Sequence, residues 1–376
     1  MIQRGKRKAF FESDVRPIYT EVMKLKKVAC TATFVCLLVC LAGCSADKAS
    51  GNIADIESGK EATESLLQQT EGAESIVQTE VQIKEPYTTD TKITEVISDP
   101  VFGEHGRLIF PVDSGYYSGD TLGGLRLTWY SNIAPEKTVE IANYLRDHAA
   151  AGEAYFYDIY TDEEKAADPA KQDTGIFFFK GNPGEKFAVC NAGGGFAYVG
   201  AMQDSFPHAL ELSKMGYNAF ALIYRPGAQT ACEDLARAVS FIFEHSEELE
   251  IDTDCYSVWG GSAGARMAAW LGSYGPAAFG GNELPRPGTV IMQYTGHSDY
   301  TESDPPTFVC VGENDGIASW RTMENRLRNL DVHGIPTEFH KYPGLGHGFG
   351  IGTGTVAEGW INEAVAFWEK QIKNQS

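Results

Sequence analysis

From Lys186 to the C-terminus, short apolar runs alternate with segments whose apolar residues recur at helical spacing. The runs at 187–190, 219–224, 256–259, 289–294, 307–311 and 336–342 predict strands. Helix-patterned segments separate most of them, at about 202–215, 231–246, 263–273, 318–333 and 356–372. In the second of these, Leu235, Val239, Ile242 and Phe243 share one face. Buried strands alternating with helices predict an α/β fold, a mostly parallel central sheet flanked by helices on both faces. Right-handed crossovers then put the C-terminal ends of the parallel strands on one edge, where sites form.

Upstream the pattern is less regular. Residues 107–112 and the alternating run Leu125–Tyr130 predict strands, as do 155–160 and 175–180. Pro135 opens a helix to about Ala149, with Val139, Ala142 and Leu145 on one face. The charged stretch 162–173 predicts a loop. Residues 45–99 hold twelve acidic and four basic residues and one aromatic, Tyr87. Such a segment buries too little apolar surface to offset chain entropy, so 44–100 predicts a disordered, self-repelling acidic stalk.

The N-terminus carries a targeting pattern. Lys24, Lys26 and Lys27 precede an apolar stretch from Val28 to Ala42, too short to span a bilayer comfortably. Residues 23–43 therefore predict a signal peptide, with Met23 the better start and 1–22 an upstream extension. Leu41-Ala42-Gly43-Cys44 resembles a bacterial lipobox. The resemblance implies lipidation of Cys44 and an exported protein anchored to the cell membrane. An uncleaved anchor and a simple secreted form are the alternatives.

The formal charge of −20 repels phosphate backbones and argues against a nucleic-acid partner. Cys30, Cys36, Cys40 and Cys44 belong to the signal. Cys190 and Cys310 sit in apolar strand patterns and predict buried free thiols, and the even count in the folded part leaves one disulfide open, with Cys232 and Cys255 as the remaining pair. No zinc, calcium or paired-cysteine motif occurs, so neither a metal nor another cofactor is expected.

The strongest chemical signal is the run Tyr256-Ser257-Val258-Trp259-Gly260-Gly261-Ser262-Ala263-Gly264-Ala265. An apolar strand enters Gly-x-Ser-x-Gly and small helix formers follow, which lifts the Ser262 hydroxyl onto a tight strand-to-helix turn. A serine hydroxyl needs a base, an orienting acid and donors for a tetrahedral oxyanion. Behind such a turn the acid and then the histidine follow in chain order. Asp315, just past the strand 307–311, is the candidate acid, with Glu313 in reserve; an Asx-turn is the structural role Asp-Gly would otherwise fill. His347, in Gly-His-Gly after the strand 336–342, is the candidate base, and His297 its competitor. The amide of Ala263 and the loop Asn191-Ala192-Gly193-Gly194-Gly195-Phe196 are the candidate oxyanion donors. As a dinucleotide loop that run fails, because Tyr198 stands where a third glycine is needed.

These motifs resemble the α/β-hydrolase superfamily over about residues 175–374. They are most similar to its esterase/lipase group with a His-Gly-Gly-Gly loop, which includes hormone-sensitive-lipase-like and carbohydrate esterases. Tyr224-Arg225-Pro226 through Glu233-Asp234 resembles a further segment of that group. The resemblance implies an α/β-hydrolase catalytic core at 175–376, Ser262, Asp315 and His347 as triad, and Gly193, Gly194 and Ala263 as oxyanion hole. Ala192 replaces the usual loop histidine, which puts loop stiffness and substrate preference in question. Asp315 follows Ser262 by only 53 positions, which leaves no room for a large cap. The candidate lid is therefore 101–174, with Tyr116, Tyr117, Trp129, Tyr155 and Tyr157 offered to the pocket mouth or to ordinary packing.

The expected activity is serine-dependent hydrolysis of short-acyl esters of glycans or small molecules. A hydrolase-fold binding module without activity and a prolyl-peptidase-type enzyme are the alternatives.

Overall fold

The computed structural model describes residues 85–112 and 115–375. The upstream extension, the signal peptide, Cys44 and most of the stalk lie outside the described residues.

All six apolar runs from Lys186 onward are strands of one eight-stranded sheet, ordered β10-β9-β8-β7-β5-β6-β4-β3. The ranges are β3 (Phe156–Tyr157), β4 (Gly175–Phe179), β5 (Lys186–Asn191), β6 (Asn218–Ile223), β7 (Asp252–Gly261), β8 (Thr289–Gln293), β9 (Thr307–Gly312) and β10 (Thr337–Tyr342). Strands β5 to β10 pair in parallel; β4 runs against β6, and β3 against β4. Every residue of β4, β6, β8 and β9 is buried, while the edge strand β10 is half-buried throughout. This separates central parallel strands, covered on both faces, from an edge.

Side-chain alternation shows the two layers. Trp259, Ile291 and Phe308 stand side by side in register. Trp259 and Phe308 face Trp360 on the C-terminal helix. Val290, one residue off, faces Gly272 on the opposite layer, so close that a Cβ at 272 would fall 2.7 Å from its methyl. The helices are α5 (Ser205–Lys214), α6 (Ala228–Glu244), α7 (Ala263–Tyr274), α8 (Trp320–Val332) and α9 (Trp360–Gln375). None among the described residues is long and apolar enough to cross a membrane. The chain leaves β5 for β6 on one side and returns to β7 on the other, which opens a crevice at the C-terminal ends of β5 and β7. This strand order, with its one reversed strand near the edge, is the α/β-hydrolase fold.

The segment before β4 departs from expectation. The described residues that the stalk was expected to include are folded: Tyr87, Ile93 and Val96 are buried, the last two on α1 (Ile93–Ile97). Averaging charge over 45–99 hid that local apolar spacing. Residues 107–112 are not a strand, for Leu108 and Ile109 are buried on the short helix α2 (Gly106–Ile109). The run 125–130 contributes only β2 (Arg126–Leu127), paired with β1 (Tyr117–Ser118). The expected helix is α3 (Pro135–Ala150). The expected loop at 162–173 holds α4 (Asp162–Ala167), stabilised by a Thr161/Glu164 capping box, and a 3-10 turn.

Candidate active site

The turn after β7 is fixed by close approach. A Cβ on Gly260 would lie 2.2 Å from the Gly264 carbonyl carbon, and one on Gly264 would lie 2.0 Å from the Asn191 carbonyl oxygen. Only glycine lets the strand, the helix and the neighbouring loop meet there. Between them Ser262 is held at φ 51° and ψ −110°, its amide donating to the Gln293 carbonyl at 2.9 Å. Six non-glycine described residues have positive φ, and four surround this turn: Trp129, Phe196, Ser262 and Tyr294. Backbone strain is concentrated where the sheet presents its serine.

Asp315 and His347 arrive on the same edge. His347 Nε2 lies 3.1 Å from Ser262 Oγ, and its Nδ1 lies 2.7 Å from Asp315 Oδ2. With the proton on Nδ1, the ring donates to the carboxylate and presents Nε2 as acceptor for the serine hydroxyl. The Asp315 side chain is fully buried, and its other oxygen accepts from the amides of Ile317 and Ala318 at 2.8 and 2.7 Å. The Asx-turn and the orienting role thus coexist, one per oxygen. The structure brings together all three residues the chain order selected.

The alternates fall away. Glu313 is exposed and pairs with Lys341. His297 is buried edge-on against Trp270, and burial first, then Arg326 and Arg266, pushes its pKa well down. It has no hydrogen bond to Ser262 or Asp315.

The three candidate oxyanion amides differ in their partners. Ala263 opens α7 and its amide has no acceptor among the described residues, nor has that of Gly194. A helix N-terminus aims such amides at developing negative charge. Gly193 is the correction. Its amide donates to Asp204 Oδ2 at 2.7 Å and is not available to a substrate oxygen. Ala192 is buried, and its carbonyl accepts from Tyr224 Oη at 2.7 Å.

The N-terminal segment reaches the site through three consecutive residues. Trp129 is 43 % exposed, packs its indole over Gly195 and stacks on Tyr198, which stacks in turn on Tyr116. Tyr130 Oη donates to Asp204 Oδ2 at 2.9 Å. Ser131 Oγ donates to the His347 carbonyl at 2.6 Å. Tyr155 and Tyr157, also offered to the mouth, pack instead at the sheet edge against Phe177 and Phe178. Sequence reasoning missed Tyr130, Ser131, Asp204 and Tyr294. Only the neighbourhood of Asp204 carried a signal, and an aspartate before a helix reads as a cap.

Cys190, Cys232 and Cys310 are buried and Cys255 half-buried, all unpaired. Among the described residues, no group of three His, Cys, Asp or Glu side chains is placed to hold a metal ion.

A family model described as BD-FAE matches residues 181–284, a stretch that includes the glycine loop and Ser262 and ends before Asp315. No curated protein matches the chain. Among solved structures, the chain is similar to an acetyl ester-xyloside bifunctional hydrolase from Caldicellulosiruptor lactoaceticus: 21% identity, 58% of this chain and 96% of that one, TM-score 0.49. An esterase from Thermogutta terrifontis is 18% identical, over 58% of this chain and 92% of its own, with TM-score 0.48. A sugar hydrolase from Lactococcus lactis is 21% identical, over 54% and 96%, with TM-score 0.47.

Proposed function

We propose that this protein is a carboxylic ester hydrolase that works through an acyl-enzyme on Ser262. The observation that carries the reading is the relay from Ser262 Oγ through His347 to Asp315, at 3.1 and 2.7 Å. The BD-FAE match spans the glycine loop and the serine turn, two parts this reading uses.

In this reading Ser262 Oγ attacks the ester carbonyl carbon while His347 Nε2 takes its proton. The carbonyl oxygen becomes an oxyanion between the amides of Ala263 and Gly194. Asp315 keeps the imidazole in the tautomer that accepts at Nε2 and stabilises the imidazolium. The tetrahedral species collapses, the carbon–oxygen bond to the alcohol breaks, and His347 returns the proton to that alcohol. Water then repeats the sequence on the acyl-enzyme, frees the acid and restores Ser262.

The proposed substrates are short-acyl, acetyl-type esters of glycans or small molecules. The exposed Trp129 face beside the glycine loop supports a sugar on the leaving-group side, because a sugar ring packs its C–H face on an indole. Residues 23–44 support an exported protein tethered through lipid on Cys44. The test is labelling by a fluorophosphonate, beside a panel of p-nitrophenyl esters from acetyl to palmitoyl and acetylated xylan. Labelling lost in Ser262→Ala, with release of acetate from xylan, is expected. A wild type that takes no label and turns over no ester would favour the binding-module alternative.

A further inference from the structure

Asp204 stands at the N-cap of α5, where an aspartate ordinarily accepts from an amide of the first helical turn. Its side chain makes no such bond. The carboxylate is fully buried and turns the other way, into the floor of the site. There it accepts from the Gly193 amide at 2.7 Å, from Tyr130 Oη at 2.9 Å and from Tyr294 Oη at 3.2 Å. No lysine or arginine among the described residues pairs with it. His208 Nε2 lies 3.6 Å away, and burial pushes that imidazole's pKa down, against the charged form. A buried carboxylate without a cation is costly, and here only an amide and two phenols satisfy it.

Its position explains why it is kept. A Cβ on Gly261 would lie 2.3 Å from Asp204 Oδ2, so the carboxylate sits directly under the turn that carries Ser262 and the Ala263 amide. A Cβ on Gly193 would lie 2.9 Å from Ser262 Cβ, so the bonded amide belongs to the loop wall facing the serine. Both carbonyls of that wall are held. Tyr224 Oη donates to the Ala192 carbonyl, and the Gly200 amide donates to the Gly193 carbonyl at 2.9 Å. In a trans peptide the N–H points opposite to the C=O. Holding the Gly193 carbonyl toward Gly200 therefore sends the Gly194 N–H the other way, and Asp204 fixes the peptide before it.

We propose that Asp204 is the positioning residue of the oxyanion hole, holding the glycine loop in register with the serine turn so that the Gly194 and Ala263 amides converge on one oxygen. Tyr130 extends that hold to the N-terminal segment, outside the stretch the family model matches. The proposal rests on the ester-hydrolase reading for its kinetic part and on geometry alone for the loop.

The test uses the full chain with Asp204→Ala, Asp204→Asn and Tyr130→Phe. Active sites are titrated with a fluorophosphonate, and kcat and KM for p-nitrophenyl acetate are expressed per titrated site. The inhibition constant of a trifluoromethyl ketone, which places an oxyanion in the same hole, is measured in parallel. Asp204→Ala is expected to lose about 100-fold in kcat with KM changed by less than about threefold, the size of losing one oxyanion donor. Ketone affinity weakens in proportion to kcat/KM across the series. Asp204→Asn, which keeps one acceptor oxygen, and Tyr130→Phe fall between, at about tenfold each. A folded variant that merely lowers the titre, with kcat per site and ketone affinity intact, overturns the proposal. Amide hydrogen exchange at Gly193 reads the loop without activity: slow in the wild type and fast in Asp204→Ala supports the pinning, and equal rates overturn it. A wild type that takes no fluorophosphonate overturns the esterase reading instead, and the exchange result still decides the role of Asp204. Should Asp204→Ala fail to fold, the Asn and Phe variants carry the same comparison.

Discussion

Between Gly175 and Gln375 the strands run from five to ten residues and stack side by side; between Pro86 and Thr174 no strand exceeds two. The first region holds itself together by burying apolar strands under helices. The second joins it through β3, which pairs with β4, and through apolar residues of the same core such as Phe102, Ile141 and Leu145, and it adds polar ties: Arg225 to Asp168, Tyr160 to Asp234, Lys137 to Glu211, Tyr130 to Asp204 and Ser131 to the His347 carbonyl. The sheet edge carries Ser262, His347 and Asp315 in one hydrogen-bonded chain. The fastened segment delivers the surroundings, an exposed indole and a phenol under the glycine loop. In this molecule Ser262, Asp315 and His347 and the side chains around them therefore come from different parts of the chain.

The sharpest test of that division removes the hydroxyl. Ser262→Ala is expected to lower kcat on p-nitrophenyl acetate about a million-fold, with the thermal melt unchanged. If activity survives, the reacting group is not on the sheet and the division fails.

Next in size is the fastening itself. Asp234 is fully buried, and Arg225 meets it with both Nε and Nη2 while Nη1 reaches Asp168 at 2.7 Å. Arg225→Met strands the Asp234 carboxylate and is expected to cost about 3 kcal/mol in urea unfolding. Limited proteolysis should then cut first between β3 and β4. Unchanged stability would mean that apolar packing, not this cluster, holds the segment.

The same division governs what could be read from the residues alone. The central strands after 186 are legible because β6, β8 and β9 are apolar along most of their length and buried throughout. Ser262, Asp315 and His347 were legible because chain order and strand ends restrict the choice. The short elements of the segment were not. Leu108 and Ile109 lie in a run that reads as a strand as readily as a four-residue helix, and tertiary packing decided between them. Gly193 was misassigned because sequence shows that a glycine loop can offer amides, not which amide a buried carboxylate occupies. Tyr130 and Asp204 stand 74 positions apart and meet only once the segment has folded over the sheet.

A smaller effect probes the surroundings directly. Trp129→Ala is expected to raise KM for acetylated xylo-oligosaccharides about tenfold while leaving ethyl acetate hydrolysis unchanged, the size of one ring-stacking contact. A loss on both substrates would make Trp129 a support for the Gly195 loop rather than a platform. A loss on neither would confine the segment's contribution to Tyr130 and Ser131.

The smallest effect separates the fastening from the sheet by pH. Lys137 on α3 donates to Glu211 on α5 at 2.7 Å, Lys214 donates to the same carboxylate at 3.0 Å, and both also pair with Glu140. Burial pushes the Glu211 pKa up, but the hydrogen bonds from Lys137 and Lys214 outweigh it and hold the value below the ordinary 4.5. A depressed folded-state pKa contributes stability that is present above the ordinary value and is lost as pH falls through the folded one. Glu211→Gln should therefore cost less than about 1 kcal/mol at pH 7, as for a partly solvated pair. Its unfolding curve should converge on the wild type's as pH drops below the ordinary carboxylate range. A deficit that persists in acid would show that the glutamine disturbs packing between α3 and α5 rather than a charge contact, and the seam between the two regions would then be apolar at that point.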